Sequence, residues 1–221
     1  TDSRKQTSFT ITISHFHMEY RNVREKVTDQ IRSELLLGEC EVGEAMRESP
    51  LAERFNVGRG PSRDALLQLS REGLLEFTPN RGSRVGKEWD GKLITVMVDL
   101  RYKMESFAMS EIIAHPAEDF TSKIRKNLRL FKLACEDADM AAVVQLDLEF
   151  HRLFLRHCGH SGLESVWLPM MGGVRLPYSR HEMLTDSYEE HKQIVDAVEA
   201  GDRKAALKAL KTNILKPFKA S

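Results

Sequence analysis

The chain has 221 residues, enough for one large or two small domains with buried cores, and its 33 basic and 33 acidic residues balance to zero net charge. That balance excludes a global basic field, so a nucleic-acid partner would have to be met by a local patch. Cys40, Cys135 and Cys158 are scattered and odd in number, which argues against a disulfide framework or zinc knuckle and fits a reducing cytoplasm, and no apolar run is long enough for a membrane span.

Residues 1–18 read as an N-terminal arm. Ser8 to Ile13 alternates like a strand between polar flanks, the segment lacks the apolar core of a secretion signal, and no function is assigned to it.

Residues 19–88 read as a winged helix-turn-helix. Ser49 is a good N-cap, Pro50 suits a first helical turn, and Leu51, Ala52 and Phe55 make one apolar face. Asn56-Val57-Gly58 supplies a tight corner, because Asn and Gly tolerate left-handed backbone. Pro61 then opens a second helix that buries Ala65, Leu66 and Leu69 and leaves Arg59, Ser62 and Arg63 exposed near its N-terminal end. Asn80-Arg81-Gly82 tips a hairpin. Between Arg54 and Lys87 seven basic residues face three acidic ones, a positive patch on a neutral chain.

The ordered set Leu51-Ala52, Phe55, Val57, Arg59, Pro61, Arg63, Ala65-Leu66, Leu69, Glu72-Gly73-Leu74 and Asn80-Arg81-Gly82 resembles the DNA-binding domain of GntR-type bacterial transcription regulators. Three positions depart from that pattern. Gly58 stands where the family usually has Ser, Ser62 replaces an apolar residue, and Ser49 falls where some relatives place a phosphate-contacting Arg, a role left to Arg47 or Arg54. The resemblance implies a recognition helix that reads double-stranded DNA with Arg59, Ser62 and Arg63, supported by Arg47 and by Arg81, Gly82 and Arg84 in the wing.

Residues 89–221 turn helical. Asp90 to Ala114, Glu118 to Asp137, Met140 to Cys158, Gly162 to Met171, Thr185 to Ala200 and Arg203 to Leu215 carry apolar residues at steps of three and four, which predicts an all-helical antiparallel bundle. Gly172 to Met183 is ambiguous, with a helix conceivable around Arg175 to His181. The fold class is therefore mainly α, a winged helix-turn-helix followed by a helical bundle.

Within the bundle, Asp147 and His151 are four apart and project from one helical face. His191 and Asn213 flank the Gly201-Asp202 turn at similar distances, so a helical hairpin would bring them abreast. Carboxylate, two imidazoles and an amide suit a divalent metal, although on spacing alone a hydrogen-bonded pair is the commoner arrangement. His157-Cys158-Gly159-His160 reads as a helix C-cap rather than a ligand set, and His15, His17, His115 and His181 carry no ligand pattern.

This region is similar to the FCD ligand-binding domain of the FadR branch of GntR regulators, through Asp147 to His151, Glu190-His191, Gly201 to Ala205, and Arg101 followed by Glu105. The resemblance implies that Asp147, His151 and His191 bind a divalent metal such as zinc or nickel, which helps hold a small organic acid. Asn213 stands where the family usually has His, as a weaker fourth ligand or a hydrogen-bond partner. Arg101 is expected either to grip the effector carboxylate or to pair with Glu105 on its own helix.

The expected function is thus a cytoplasmic bacterial regulator, a homodimer on a pseudo-palindromic operator, controlled by a metabolite in a metal-containing pocket. The alternative is a metal-dependent enzyme built on the Asp/His cluster, and it leaves the DNA-binding half unexplained. A purely architectural DNA binder leaves the bundle unexplained.

Overall fold

The computed structural model describes residues 23–87, 89–173 and 184–219. The strand-like arm, the segment around Arg175 to His181, and His15, His17 and His181 lie outside them. The first element is a helix, α1 (Val23–Leu37), followed by β1 (Ala45–Met46), α2 (Glu48–Arg54), α3 (Arg59–Arg71), β2 (Leu75–Thr78) and β3 (Gly82–Val85). The three strands form an antiparallel sheet in the order β1-β3-β2, with Leu75 opposite Val85 and Thr78 opposite Gly82. The short β1, which pairs Ala45 with Arg84, has no periodic signal in the sequence and exists because β3 offers it an edge.

Both helix ends around the recognition element are closed by the same device. Asn56 (φ 50) and Gly73 (φ 73) are left-handed, and each lets the next amide reach back, Val57 N–H to Ala52 O at 2.9 Å and Leu74 N–H to Leu69 O at 3.1 Å. Gly58 is extended (φ −72, ψ 163) where a left-handed corner was expected, and as the N-cap of α3 it offers no capping side chain, the weakness implied by Gly in place of the usual Ser. Ser49 also departs, since α2 begins at Glu48 with Arg47 as its N-cap and Pro50 follows in the first turn.

The second half contains α4 (Gly91–Ala114), α5 (Phe120–Glu136), α6 (Met140–His157), α7 (Leu163–Gly173), α8 (Leu184–Glu199) and α9 (Arg203–Lys219). Asp90 and Asp139 cap α4 and α6 by accepting from Lys92 and Leu93 and from Ala142. Helix α6 ends at His157 with left-handed Gly159 beyond it, and His157 Nδ1 donates to Leu153 O at 2.8 Å, the capping role read from the sequence. Five helices close a ring in which α4 packs on α6, α6 on α5, α5 on α8, α8 on α9, and α9 back on α4. Phe150, Phe154, Ile194 and Leu210 fill its interior.

The two halves share one apolar core. Val27, Ile31 and Leu35 of α1 are buried four residues apart, and α1 packs on both α3 and α6. Polar contacts pin the seam: Gln145 Nε2 donates to Asp29 O at 3.2 Å, and Ser33 Oγ donates to Ala141 O at 3.3 Å. Arg32, almost fully buried, grips Glu72 at the end of α3 through Nε and Nη2 at 2.7 and 2.8 Å. No helix among the described residues is long and apolar enough to cross a membrane.

Candidate DNA-reading surface and metal centre

Helix α3 buries Ala65, Leu66 and Leu69, which turns Arg59 and Arg63 outward at its first turns. On β3 the alternation is equally clear: Ser83 and Val85 are buried, whereas Arg84 faces out with Nη1 donating to Gly43 O at 2.8 Å. Arg81 and Gly82 (φ 78) form the exposed wing tip, and Arg47 is exposed at the start of α2.

Two residues behave otherwise. Ser62 is fully buried, with its Oγ donating to Gly58 O at 3.3 Å, so its side chain is a core group that satisfies itself locally and does not reach outward. This also explains why an apolar residue is usual there. Arg54, the other candidate for a phosphate contact, is half-exposed but held by both oxygens of Glu34 on α1, whereas Arg47 is exposed at the start of α2.

The bundle brings Asp147, His151 and His191 together, their ligating atoms all within 4.8 Å of one another. Asp147 and His151 come from α6 and His191 comes from α8, whose ring packs against Phe131 and Phe150 with centroids 4.5 Å away. The hydrogen bonds decide which ring nitrogens face the cluster. His191 Nδ1 lies 2.7 Å from Ser187 O and His151 Nδ1 lies 2.6 Å from Glu105 Oε2. A carbonyl and a carboxylate only accept, so both Nδ1 atoms carry protons, and it is the Nε2 atom of each ring that turns inward, free to ligate whenever it carries no proton.

Those nitrogens meet a carboxylate. Asp147 Oδ1 is 3.0 Å from His191 Nε2 and 4.0 Å from His151 Nε2. His191 Nε2 is completely buried and has no hydrogen-bond partner in this geometry. Imidazole with carboxylate is a donor set that suits zinc or nickel, and these three atoms lie close enough together to ligate one ion. The residues therefore fit a divalent metal.

Glu105, which the sequence pattern offered only as a partner for Arg101, is the hub of the surrounding shell. It accepts from Arg101 Nε at 2.7 Å, from His151 Nδ1, and from the indole of Trp167 at 2.8 Å. Burial opposes its charge, but Arg101 and His151 outweigh this and hold its carboxyl down at about 2. Asp147 is likewise held well below the ordinary range: burial opposes its charge, and the two imidazoles and Arg101 overcome it. Arg101 pairs with Glu105, yet on a buried face where its charge also reaches Asp147, not on a solvated one. Asn213, nearly buried on α9, directs Nδ2 to Glu190 Oε2 at 3.5 Å, one residue from His191. Trp167 and Ser187 carried no signal in the sequence, because neither belongs to a metal-binding spacing.

Residues 23–85 match the family described as bacterial regulatory proteins of the gntR family, and residues 96–215 match the FCD domain. The chain belongs to the GntR family, in the branch that carries an FCD domain. This is a family of DNA-binding transcription regulators and not of enzymes. Curated relatives include a probable D-xylose utilization operon transcriptional repressor of Paenarthrobacter nicotinovorans, 28% identical over 191 residues, 85% of this chain and 84% of that one. The gluconate operon transcriptional repressor of Bacillus licheniformis is 27% identical over 201 residues, 85% of this chain and 80% of the other. Among solved structures, E. coli McbR/YncC superposes with a TM-score of 0.70 at 18% identity, covering 90% of this chain and 97% of its own, a likeness of fold.

Proposed function

We propose that this GntR-family regulator binds a pseudo-palindromic operator as a homodimer and is switched by a small organic acid held at a divalent metal. The observation that carries this reading is the convergence of two buried imidazole Nε2 atoms on Asp147, with each ring fixed from behind by Ser187 O or Glu105. Asp147, His151 and His191 would hold the cation, which supplies a Lewis-acid site for a carboxylate oxygen. Asn213, replacing the usual His, would lend an amide oxygen or hold a water.

Charge supports an anionic effector. The buried ionised groups Asp147, Glu105 and Arg101 leave one formal negative charge, a divalent cation turns it into one positive charge, and a monocarboxylate neutralises the whole. Arg101 would contribute to gripping that carboxylate while Glu105 orients its guanidinium.

Dimerisation is supported by α4, where Leu93, Val96, Leu100 and Phe107 are 36%, 53%, 38% and 45% exposed and fall on one stripe. One recognition helix spans only a few base pairs, so two copies give useful selectivity. Arg59, Arg63, Arg47 and the wing residues Arg81, Gly82 and Arg84 would meet the DNA. The relatives named as operon repressors make repression the expected mode, exerted in the cytoplasm. The test is metal analysis of purified protein together with gel-shift titration on DNA upstream of its own gene, with and without chelator and a panel of sugar acids. Metal-free protein whose DNA affinity still responds to an organic acid would remove the cation from the mechanism.

A further inference from the structure

Helix α7 touches the metal centre at one position and the recognition helix at another. Trp167 is completely buried and donates its indole N–H to Glu105 Oε1, the same carboxylate whose other oxygen holds His151. Two residues later α7 reaches the DNA-binding half. A Cβ built on Gly73, just past the end of α3, would lie 2.7 Å from Pro169 O. A Cβ built on Gly172 would lie 2.6 Å from Gly73 C and 2.8 Å from Leu74 N. Backbone meets backbone here, and only glycine on both sides permits it. The contact falls on the Glu72–Leu74 turn whose amides close α3.

We propose that α7 is the lever through which the metal centre acts on the recognition helix, with Glu105 and Trp167 as positioning residues at one end and the Gly172–Gly73 contact at the other. The inference rests on the metal reading above. His151, if drawn toward a bound cation, would carry Glu105 with it through their 2.6 Å hydrogen bond, and Glu105 would carry the Trp167 indole. Pro169 fixes its own φ at the point where its carbonyl meets Gly73, at the cost of one amide donor within α7. A close-packed glycine seam cannot absorb a displacement by side-chain rearrangement, so the displacement passes to the cap of α3 and alters how firmly the reading helix is held. The competing route runs from α6 through Gln145 to Asp29 on α1.

The experiment uses the full chain in a Trp89→Phe background, which leaves Trp167 as the single indole. Zinc alone is the probe, with calorimetry for binding, Trp167 emission, and hydrogen exchange at Gly73 and Leu74. Zinc is expected to shift the emission and to change exchange at these two amides at least fivefold. Trp167→Phe should keep zinc affinity within threefold and abolish the change at Gly73 and Leu74, and even without zinc it should accelerate their exchange relative to Ala200 and Gly201. Gly172→Ala, the second variant should Trp167→Phe not fold, is expected to preserve the zinc-dependent emission shift and lose the response at Gly73 and Leu74. A response that survives in these variants, or that vanishes only in Gln145→Ala, overturns the lever. Absence of zinc binding, with exchange at Gly73 and Leu74 still accelerated by Trp167→Phe, would sink the metal reading and leave the lever standing.

Discussion

Replacing Glu105 with Gln tests the shell of the centre through a single proton-sized change. The carboxylate is 1% exposed and serves three donors, Arg101 Nε, His151 Nδ1 and Trp167 Nε1, at 2.6 to 2.8 Å. An amide fills the same space but brings one acceptor and an NH2 group, so at least one of these donors meets another donor. Arg101, 3% exposed, loses the carboxylate it is paired with and keeps only the charge of Asp147. Breaking a buried ion pair by removing one partner costs about 3 to 5 kcal/mol. Linkage leads to a similar figure, since a carboxyl held at about 2 against an ordinary 4.5 contributes about 3 kcal/mol at neutral pH. Because the folded-state value is depressed, that stability is fully present above pH 4.5 and is lost as pH falls from 4.5 toward 2. For a chain of this size the melting temperature of Glu105→Gln should drop by about 6 to 20 °C at pH 7, by circular dichroism. The deficit should shrink toward pH 2. Arg101→Met combined with Glu105→Gln should recover part of it, because both charges then leave together. A single variant melting within about 2 °C of the parent at neutral pH would refute the compensation argument.

Three other outcomes follow from the same geometry. Arg59→Ala and Arg63→Ala should each weaken binding to DNA upstream of the gene by about 1 to 3 kcal/mol, with relaxed sequence preference if the lost contact is to a base and a flatter salt dependence if it is to phosphate, whereas Ser62→Ala should leave gel-shift affinity unchanged. Zinc affinity measured by calorimetry should fall as the solution is acidified, since protons compete with the metal for the imidazole nitrogens. His151→Ala should abolish binding and Asn213→His should tighten it at least tenfold if the amide is a ligand. Val96→Glu with Leu100→Glu should convert a sedimenting dimer to a monomer; a dimer that persists would place the interface elsewhere.

The DNA-binding half was legible because its signals are local. Turn residues, a Pro in a first turn and a three-and-four apolar step act within a few residues, so Asn56, Pro61, Ala65, Leu66, Leu69 and the Asn80 to Gly82 tip found their expected structural places. The places where reading failed are also physical. Ser62 lies between two outward-facing arginines, next to Arg63 and three residues after Arg59, and only its burial shows that it points to the core. Ser49 is the better capping side chain, yet the backbone turns extended at Arg47.

By itself, the sequence determined six helical stretches in the second half and, through periodicity, that Asp147 and His151 share a face, because residues four apart on a helix have no other arrangement. Only the tertiary structure decided that α8 delivers His191 to that face, that Glu105 and Ser187 fix the tautomers of the two imidazoles, and that Arg101 spends its Nε on Glu105 in a buried site. These contacts join residues up to 46 positions apart in the chain. No local propensity encodes such distances; they arise when ring closure by α4, α6, α5, α8 and α9 buries polar groups such as the Glu105 carboxylate and leaves them to find partners inside.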